Sequence, residues 1–441
     1  MELLDMIREA GVIGAGGAGF PTHVKLKAEA DYILLNGAEC EPLLRVDQQL
    51  MAVYPHEVIG GLLLGKKITG AKEAIIGIKE SHPDVIDIMD KAIDELGVRD
   101  EVRVGALPDV YPAGDEQVLV YELTGRIVPE TGIPIAVGCV VMNSETAYNV
   151  WNASQNQPVT MKYVTVAGDV PHPVTVCVPV GTPLLEVLRA SGRMDFSDCE
   201  IVDGGPMMGP LLDDINGYVN KKTKGLVVLP REHNLIRKKS RTMESACRLD
   251  RSACEQCSMC TDMCPRHLLG QSTVPHKMVR AVAYGTPADE NVTAALTCCQ
   301  CNLCEYFSCP AGINPKMANV FYMGKLREQG IRHTPKAEFR AHPMRKYRMI
   351  PSKRLIARLN ISQYNVAAPL DEHHVIASER LGFALNKHVG APAVPVVQAG
   401  EHVAAGQKIA DIAVGKLGAC VHASVDGTVE AVEGNIIIRR D

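Results

Sequence analysis

Two cysteine runs between residues 254 and 310 constrain this chain more than any other part of its sequence. The first has the spacing C-x2-C-x2-C-x3-C-P and runs from Cys254 to Pro265. The second repeats this spacing from Cys298 to Pro310, with one extra residue before its last cysteine. Such spacing is typical of [4Fe-4S] ligation, because three closely spaced thiolates wrap one cube while the cysteine before the proline serves another.

The two runs predict eight ligands for two clusters. We expect one cluster on Cys254, Cys257, Cys260 and Cys309, and the other on Cys298, Cys301, Cys304 and Cys264. Only the register that begins at Cys298 gives two successive two-residue gaps, so Cys299 is not predicted to be a ligand. The sequence alone leaves open whether Cys299 replaces Cys298. Residues 265–297 have a helical pattern, which predicts that helices surround the clusters.

Zinc binding and disulfide formation account for these cysteines less well. Zinc sites use four ligands in two pairs rather than two quartets, and disulfides are not expected in a long chain without a secretory signal. Seven cysteines lie outside the eight proposed ligands, and most of them are predicted to be small buried apolar side chains. They are Cys40, Cys139, Cys177, Cys199, Cys247, Cys299 and Cys420. Two clusters would pass electrons singly, so the sequence predicts an electron-transfer protein.

Length and composition limit the remaining possibilities. The chain has 441 residues, enough for several domains. A net charge of −5 with 4% aromatic residues gives no sign of nucleic-acid binding. No apolar run reaches the ~20 residues that cross a bilayer, and the first residues lack the basic start of a signal peptide. With its fifteen cysteines, the chain is expected in a reducing, cytoplasmic compartment.

A glycine-dense turn at residues 14–22 predicts a phosphate site. Glycines let the backbone approach a phosphate closely, and the nearby Lys25 can supply a compensating charge. The usual dinucleotide fingerprint expects a strand before such a turn. Residues 1–10 have the pattern of an amphipathic helix instead, so a Rossmann site is not predicted.

The glycine turn and three later segments together resemble the motifs of a known protein family. A predicted strand at 31–36 runs into polar residues, where open α/β sheets place ligands. The four segments resemble the FMN and NADH motifs of the flavin subunit of respiratory complex I and of the C subunit of the Rnf electron-transport complex. They are G-A-G-G-A-G-F-P-T at 14–22, N-G-A-E-C-E-P at 36–42, Y-P-A-G-D-E at 111–116 and M-N-S-E-T at 142–146.

The resemblance implies roles for single residues. Lys25 and the glycine turn would hold the FMN phosphate, while Asn36 and Asn143 would hydrogen-bond the flavin. One departure is Ala38, where complex I has an acidic residue, so the hydrogen bonds to the flavin cannot all be the same. The residues expected at the cofactor are Gly14, Gly16, Gly17, Gly19, Phe20, Lys25, Asn36, Gly114, Asp115, Asn143 and Thr146. Those expected to border the nicotinamide and act in catalysis are Glu39, Glu41 and Glu116.

A second glycine-containing run, Gly60 to Lys67, spells most of a P-loop. Lys67 stands where that motif requires Ser or Thr, and the run lies inside an apolar helical pattern. We therefore predict a core helix at this position, without a phosphate site.

The predicted fold class is multidomain α/β and α+β. We expect a complex-I-flavin-subunit-like α/β domain (1–155), a β-grasp domain (156–235), a helical dicluster ferredoxin domain (236–335), a basic linker (336–373) and a C-terminal all-β barrel-sandwich domain (374–441). Residues 336–358 carry eight Lys or Arg against one acidic residue. We interpret them as a solvated linker rather than a docking strip for an acidic partner.

The C-terminal segment is similar to biotinyl and lipoyl domains, which carry a modified lysine at a hairpin tip. This chain has Asp426 and Gly427 there, so no carrier role is predicted. The order of the domains resembles that of the cobalamin reductases of bacterial propanediol utilisation, and this resemblance covers essentially the whole chain.

The resemblance implies an oxidoreductase that passes electrons from NADH to FMN, then to two [4Fe-4S] clusters and a corrinoid. Expected partners are cobalamin, an adenosyltransferase and the shell proteins of a bacterial microcompartment, with no nucleic acid and no membrane span. One alternative is an Rnf-C-like subunit that feeds ferredoxin, a membrane complex or another reductase. Another is a non-enzymatic electron-relay adaptor.

Overall fold

Four parallel strands form the sheet of the first domain in the computed structural model, which describes residues 2–441. The sheet order is β3-β2-β1-β5, and the apolar run of β2 is buried along nearly its whole length, as expected for a parallel strand covered on both faces. The first five strands are β1 (Tyr32–Asn36), β2 (Glu73–Lys79), β3 (Val102–Leu107), β4 (Val110–Tyr111) and β5 (Cys139–Asn143). Strand β4 lies outside this sheet. The predicted strand at 31–36 is thereby confirmed.

Helices cover this sheet, and two of them begin at residues that matter later. Asp115 and Asn143 are the N-caps of two helices, because their side-chain oxygens accept hydrogen bonds from backbone N–H groups of the first turn. The helices of this domain are α1 (Leu3–Glu9), α2 (Thr22–Lys25), α3 (Val46–Val53), α4 (Pro55–Thr69), α5 (Pro83–Leu96), α6 (Glu116–Thr124) and α7 (Ser144–Ser154), with a 3₁₀ turn at Pro134–Val137.

The P-loop-like run lies inside α4, so the predicted core helix is confirmed. Its glycines serve helix packing. A Cβ atom at Gly61 would stand 1.8 Å from the carbonyl oxygen of Ala147 in α7, and one at Gly60 would meet the ring of Trp151. Only glycine therefore lets α4 and α7 approach this closely.

A five-stranded mixed sheet forms the second domain. Its first two strands form an antiparallel hairpin, with a register that runs from Met161↔Pro179 to Val166↔Val174. The elements are β6 (Met161–Gly168), β7 (Val174–Pro179), α8 (Leu184–Arg189), β8 (Cys199–Asp203) and β9 (Gly225–Pro230). The fifth strand comes from a later part of the chain.

Short helices surround the cysteine runs, as the sequence predicts. Their apolar core includes Met278, Val282, Tyr322 and Leu326. The helices are α9 (Asn234–Lys239), α10 (Met243–Ala253), α11 (Met259–Asp262), α12 (Pro265–Leu268), α13 (Pro275–Tyr284) and α14 (Pro315–Glu328), with a 3₁₀ helix at Glu290–Thr297 and a π-helical turn at Cys304–Ser308.

Residues 336–373, expected to be a solvated linker, instead contact the other domains. Ile350 and Leu355 are buried in an apolar cluster, and Arg345 forms an ion pair with Glu122 of α6. The segment contains α15 (Arg345–Arg348), β10 (Ile350–Pro351), α16 (Ser352–Arg358) and β11 (Leu370–Asp371), with a 3₁₀ turn at Ser362–Tyr364. Strand β10 pairs with β4, and β11 is the fifth strand of the second sheet, next to β7. The prediction was wrong because it rested on the many positive charges of this segment and overlooked the few apolar side chains that anchor it.

Two small antiparallel sheets form the C-terminal barrel-sandwich domain. Their orders are β12-β18-β17-β14 and β13-β15-β16. The strands are β12 (Arg380–Ala384), β13 (Val394–Pro395), β14 (His402–Val403), β15 (Lys408–Asp411), β16 (Val421–His422), β17 (Gly427–Glu433) and β18 (Asn435–Arg440). Asp426 accepts a hydrogen bond from the backbone N–H of Ala405 at 2.8 Å. The predicted mixed α/β and all-β fold class is confirmed.

The C-terminal domain is held against both preceding domains. Its Phe383 and Ile409 share one apolar core with Val164 and Val178 of the second domain. The Nζ atom of the buried Lys221 donates to the carbonyl oxygens of Gly11 and Cys420, at 2.7 and 2.8 Å. In the described part of the chain, residues 2–441, no helix is both long and apolar enough to cross a bilayer.

A buried ion pair joins the first two domains. Lys162 of β6 donates to the carboxylate of Glu145 in α7, and both side chains are at most 2 % exposed. Burial raises the pKa of Glu145 and lowers that of Lys162, whereas their mutual attraction opposes both shifts. Breaking such a pair leaves an uncompensated buried charge.

We therefore expect Lys162→Met to lower the free energy of unfolding by about 3–5 kcal/mol, the cost of an orphaned buried charge. Trp151, the only tryptophan of the chain, lies on the same helix as Glu145 and reports urea unfolding by its fluorescence. The double variant Glu145→Leu/Lys162→Met should recover most of this loss. Lys91→Met, whose side chain is 78 % exposed, is the control. Equal stability of the Lys162 and Lys91 variants would contradict this account.

Candidate functional site

Two adjoining cavities lie at the carboxyl ends of β1 and β5. The first has a volume of about 590 Å³ and is lined by the glycine turn, Lys25 and residues 139–143. The second has a volume of about 530 Å³ and is lined by Glu39, Glu41 and residues of all the other domains. The residues that line both are Gly16, Gly17, Asn36, Gly114, Glu116 and Asn143. Both volumes fall in the range of small-molecule sites, about 300–1,000 Å³.

The glycine turn exposes its backbone to the first cavity. The turn is closed by a hydrogen bond from the Gly14 N–H to the Phe20 carbonyl oxygen, at 2.9 Å, and Thr146 Oγ1 accepts from the Ala15 N–H at 3.0 Å. At Gly17, no atom of the described residues lies within 4 Å of the place where a Cβ would stand. The cavity thus has a wall of bare backbone, which suits a phosphate.

The same cavity holds an unpartnered polar atom. The hydroxyl of Thr22 is buried and, among residues 2–441, has no hydrogen-bond partner. Such an atom normally finds a partner. Together with the bare backbone and the Lys25 ammonium, this hydroxyl fits the phosphate end of a bound flavin mononucleotide.

The structure brings the side chains predicted at the flavin to this cavity, but several already contact other protein groups. Asn36 donates to the Gly114 carbonyl oxygen at 2.8 Å, and Asn143 donates to Asp47 at 2.9 Å. Lys25 forms an ion pair with Glu116 at 2.8 Å. Lys25 therefore lies between the predicted phosphate site and Glu116, the carboxylate predicted to border the nicotinamide.

Asp115 has a position that its predicted role does not require. One of its oxygens caps α6, and the other accepts a hydrogen bond from Arg266 at 2.8 Å. Arg266 follows the first cysteine run. Asp115 therefore joins the cavity wall to the cysteine-bearing domain.

A buried cation holds two carboxylates in the second cavity, which we call the carboxylate cavity. Lys224 of the second domain lies 2.6 Å from Asp47 and 3.2 Å from Glu39. Burial and the nearby Asp47 raise the pKa of Glu39 to about 7, although Lys224 opposes the shift. The charge of the Glu39 carboxyl therefore changes near neutral pH.

The third predicted carboxylate in this region, Glu41, faces a loop of the second domain. It accepts hydrogen bonds from the backbone N–H groups of Met207 and Met208, both at 2.8 Å. Burial raises its pKa, and the two N–H groups oppose this shift. A Cβ at Gly205 would lie 2.1 Å from the Glu41 carboxylate, so only glycine permits this approach.

Sequence reasoning missed five charged residues of this cavity. Asp47 lies on a helix of the first domain, while Asp203, Lys222, Lys224 and Lys387 lie far along the chain, in the second and C-terminal domains. No local spacing connects them with Glu39. Only the packing of the three domains places them in one cavity.

The first group of predicted cluster ligands surrounds a small cavity of its own. Cys254, Cys257, Cys260 and Cys309 all line it. Burial and then the neighbouring thiols raise the pKa of Cys260 to about 12. A metal-bound thiol is deprotonated outright, so an iron cluster would relieve this crowding. Within residues 2–441, no three Cys, His, Asp or Glu side chains converge as ligands of a single ion would.

The two cysteine runs share one backbone conformation, and this supports their alignment. Gln256 and Ser258 have positive φ angles of 53° and 63°, and Gln300 and Asn302 have 57° and 63°. Such angles are uncommon outside glycine. The match aligns Cys254 with Cys298 and Cys257 with Cys301, and leaves Cys299 opposite Glu255.

The second predicted group lies next to the carboxylate cavity. Burial and the thiol of Cys298 raise the pKa of Cys304 well above its ordinary range, and Cys264 also lies nearby. Cys299 and Cys301 line the carboxylate cavity, and Tyr111 donates to the carbonyl oxygen of Cys301 at 2.9 Å. We call Cys264, Cys298, Cys301 and Cys304 the proximal group, and Cys254, Cys257, Cys260 and Cys309 the distal group.

Three protein-family models match separate parts of the chain. Residues 7–152 match the Nuo51 FMN-binding domain, residues 253–314 match a 4Fe-4S dicluster domain, and residues 366–440 match the RnfC barrel sandwich hybrid domain. The chain is 43% identical to the cobalamin reductase PduS of Citrobacter freundii, over 99% of this chain and 96% of that protein. The chain belongs to the PduS family.

Two other relatives are similar to this chain over different shares of its length. PduS of Salmonella typhimurium is also 43% identical, again over 99% of this chain and 96% of that protein. The C subunit of the proton-translocating ferredoxin:NAD(+) oxidoreductase complex of Clostridium ljungdahlii is 34% identical, over 60% of this chain and 56% of that protein. The PduS-family chain described here is an oxidoreductase that transfers electrons with FMN and [4Fe-4S] clusters.

The alignment of the two cysteine runs predicts that Cys299 is not a ligand. We expect Cys299→Ser, purified anaerobically, to retain about eight iron atoms per chain, the content of two four-iron cubes. Cys301→Ser should lose one cluster and retain about four. Iron and acid-labile sulfide analysis, with FMN content as the control for folding, measures this. Loss of a cluster from the Cys299 variant would show that the register is wrong.

Proposed function

We propose that this PduS-family protein is an NADH-dependent reductase. Electrons would enter from NADH at FMN, pass through the proximal and then the distal cluster, and reduce a corrinoid. The observation that carries the proposal is the continuity of the two cavities with Cys299 and Cys301. Bound FMN would supply the exchange between the hydride of a nicotinamide, which carries two electrons, and clusters that accept one.

The first cavity fits FMN and the second fits NADH. Lys25, the Thr22 hydroxyl and the bare backbone of the glycine turn would hold the FMN phosphate. Lys222 and Lys387 line the second cavity and provide positive charge for the phosphates of a dinucleotide. The flavin and nicotinamide rings would meet where the cavities join, beside Glu116 and Asn143.

Residues of the second domain would keep water from the reacting rings. Met207 and Gly209 belong to the loop whose backbone binds Glu41 and whose carbonyl oxygens accept from Lys239. Glu39 stays 3 % exposed under Lys224. Excluding water strengthens the electrostatic effect of these carboxylates on a charge that develops beside them.

The proximal group would receive electrons first, because it alone of the two groups has a member, Cys301, on the carboxylate cavity. Its Cys304 lies near Cys260 of the distal group. Cys257 of the distal group is exposed. We therefore propose that electrons leave the protein at the distal cluster.

The names of the full-length relatives support a corrinoid as the acceptor. An adenosyltransferase is the proposed partner, because it consumes the fully reduced cobalt. An Rnf-like role, in which the chain feeds ferredoxin or another reductase, is the second candidate and is supported by the relative from the ferredoxin:NAD(+) oxidoreductase complex. A relay that has lost NADH binding is disfavoured by the intact cavity with its three predicted carboxylates.

Anaerobic NADH oxidation with cobalamin tests the acceptor. We expect NADH to bleach the flavin and the protein alone to reduce cob(III)alamin. Cob(I)alamin should accumulate only when an adenosyltransferase is present, because the lower axial base stabilises the higher oxidation states of cobalt until a partner removes it. The cobalt spectra report each state.

No cobalamin reduction with or without the partner, alongside rapid turnover with ferredoxin, would contradict the corrinoid proposal and favour the Rnf-like role. A flavin that dithionite reduces and NADH leaves oxidised would favour the relay.

Glu39 predicts a pH dependence for the NADH reaction. Its raised pKa of about 7 means that the carboxyl is neutral below this pH and anionic above it. An anion beside the nicotinamide favours the positive charge that the ring gains as the hydride leaves. We expect the rate of flavin bleaching by NADH to rise through about pH 7, and Glu39→Gln to abolish the rise. The exposed Glu29→Gln is the control, and an unchanged profile in the Glu39 variant would contradict this role.

A further inference from the structure

A buried arginine lies directly behind the proximal group. Arg266 follows Cys264 and Pro265 and is only 8 % exposed. One nitrogen, Nη2, donates to Asp115 at 2.8 Å. The other two, Nε and Nη1, are buried and have no hydrogen-bond partner within residues 2–441. A buried guanidinium with two unengaged nitrogens is costly unless another group binds there.

The guanidinium is surrounded by cysteine sulfur. Its most direct sulfur contact is with Cys299, which lies within hydrogen-bonding reach but is not a predicted ligand. Its charge acts on Cys301, Cys264 and Cys298. Three of the four proposed ligands of the proximal cluster thus lie within its electrostatic reach. Asp115 compensates only one edge of the guanidinium, since its other oxygen is engaged at the start of α6.

The distal group has no such cation at the equivalent place. In the repeated motif, Cys309 and Pro310 are followed by Ala311, which is exposed and lines the distal cavity. The groups that act on Cys260 are the thiols of its own cluster and Thr261. The two cysteine runs can therefore be compared directly. A buried arginine follows the Cys-Pro pair of the proximal group, and an exposed alanine follows that of the distal group.

A positive charge and N–H donors near cluster sulfur stabilise the reduced cluster, which carries one more negative charge. Hydrogen bonds to the sulfurs, net charge and solvent exposure are the factors that set cluster potentials. Burial increases the effect, because the interaction is screened less than it would be in water. At the proximal group, Arg266 supplies a positive charge and N–H donors, and it is buried.

We infer that Arg266 sets the order of the two cluster potentials by placing its buried positive charge beside the ligands of the proximal cluster. The proximal cluster then has the higher reduction potential of the two, and the distal cluster, which has no buried arginine after its Cys-Pro pair, is the stronger reductant. Arg266 acts through the cluster and is a positioning residue. This inference rests on the proposed ligand sets.

A redox titration followed by electron paramagnetic resonance tests the inference on the holoprotein. Arg266→Gln removes the charge and keeps N–H donors, and Arg266→Lys keeps the charge. We expect two one-electron reduction steps, and we expect the Gln variant to lower the potential of one of them by at least about 59 mV. This shift corresponds to a tenfold change in the equilibrium constant of a one-electron step. The Lys variant should retain most of the wild-type value. Arg231→Gln, an exposed arginine in an ion pair with Glu200, should change neither step.

The converse variant keeps the test decisive if Arg266→Gln loses iron. Ala311→Arg adds a cation at an exposed position and should raise the potential of the other step, the one that Arg266→Gln leaves unchanged. Unchanged potentials in an Arg266→Gln protein that retains eight irons would overturn the inference. Where Arg266→Gln loses iron, unchanged potentials in Ala311→Arg would overturn it. Fewer than eight irons in the wild-type protein would instead refute the proposed ligand sets.

Discussion

The contact between the proximal cysteine group and the carboxylate cavity is the feature on which the rest of this structure depends. Tyr111 donates to the backbone of Cys301, and Asp115 binds Arg266. Both contacts join the wall of the cavity to the cysteine-bearing domain. The segment 336–373 reinforces them, because β10 pairs with the strand that contains Tyr111. Without this docking, a flavin domain and a dicluster domain would share a chain but no route for electrons.

Buried charge is the second theme of the molecule, and it lies at domain boundaries. Lys162 and Lys224 extend from the second domain to carboxylates of the first, and Lys221 joins the turn before the glycine loop to the C-terminal domain. Replacing such pairs with apolar residues often leaves stability unchanged or improved, so stability alone does not explain them. Here they join the domains to one another, and Lys224 also holds Asp47 and Glu39 in the carboxylate cavity.

Local patterns predicted much of this structure. The cysteine spacing identified both groups, because cluster ligation depends on gaps of two or three residues that can be read directly. The glycine turn at 14–22 and the strand at 31–36 were predictable because their signals also lie within a few consecutive residues. The roles of Lys222, Lys224 and Lys387 were not, since they arise when three domains pack. The segment 336–373 was misjudged because its eight positive charges outweighed the few apolar residues that anchor it. Asp115 was assigned to the cofactor from its motif, and its contact with Arg266 had no local signal.

The central claim is that the flavin, the proximal cluster and the distal cluster work in series. Rapid mixing with NADH, followed by freeze-quenching and electron paramagnetic resonance, tests it on the Cys301→Ser protein, in which the proximal cluster is lost and the distal one retained. The account predicts that NADH still reduces the flavin at the wild-type rate, while the distal cluster stays oxidised on the timescale of turnover. Reduction of the distal cluster at the wild-type rate would contradict it, because electrons would then bypass the proximal group.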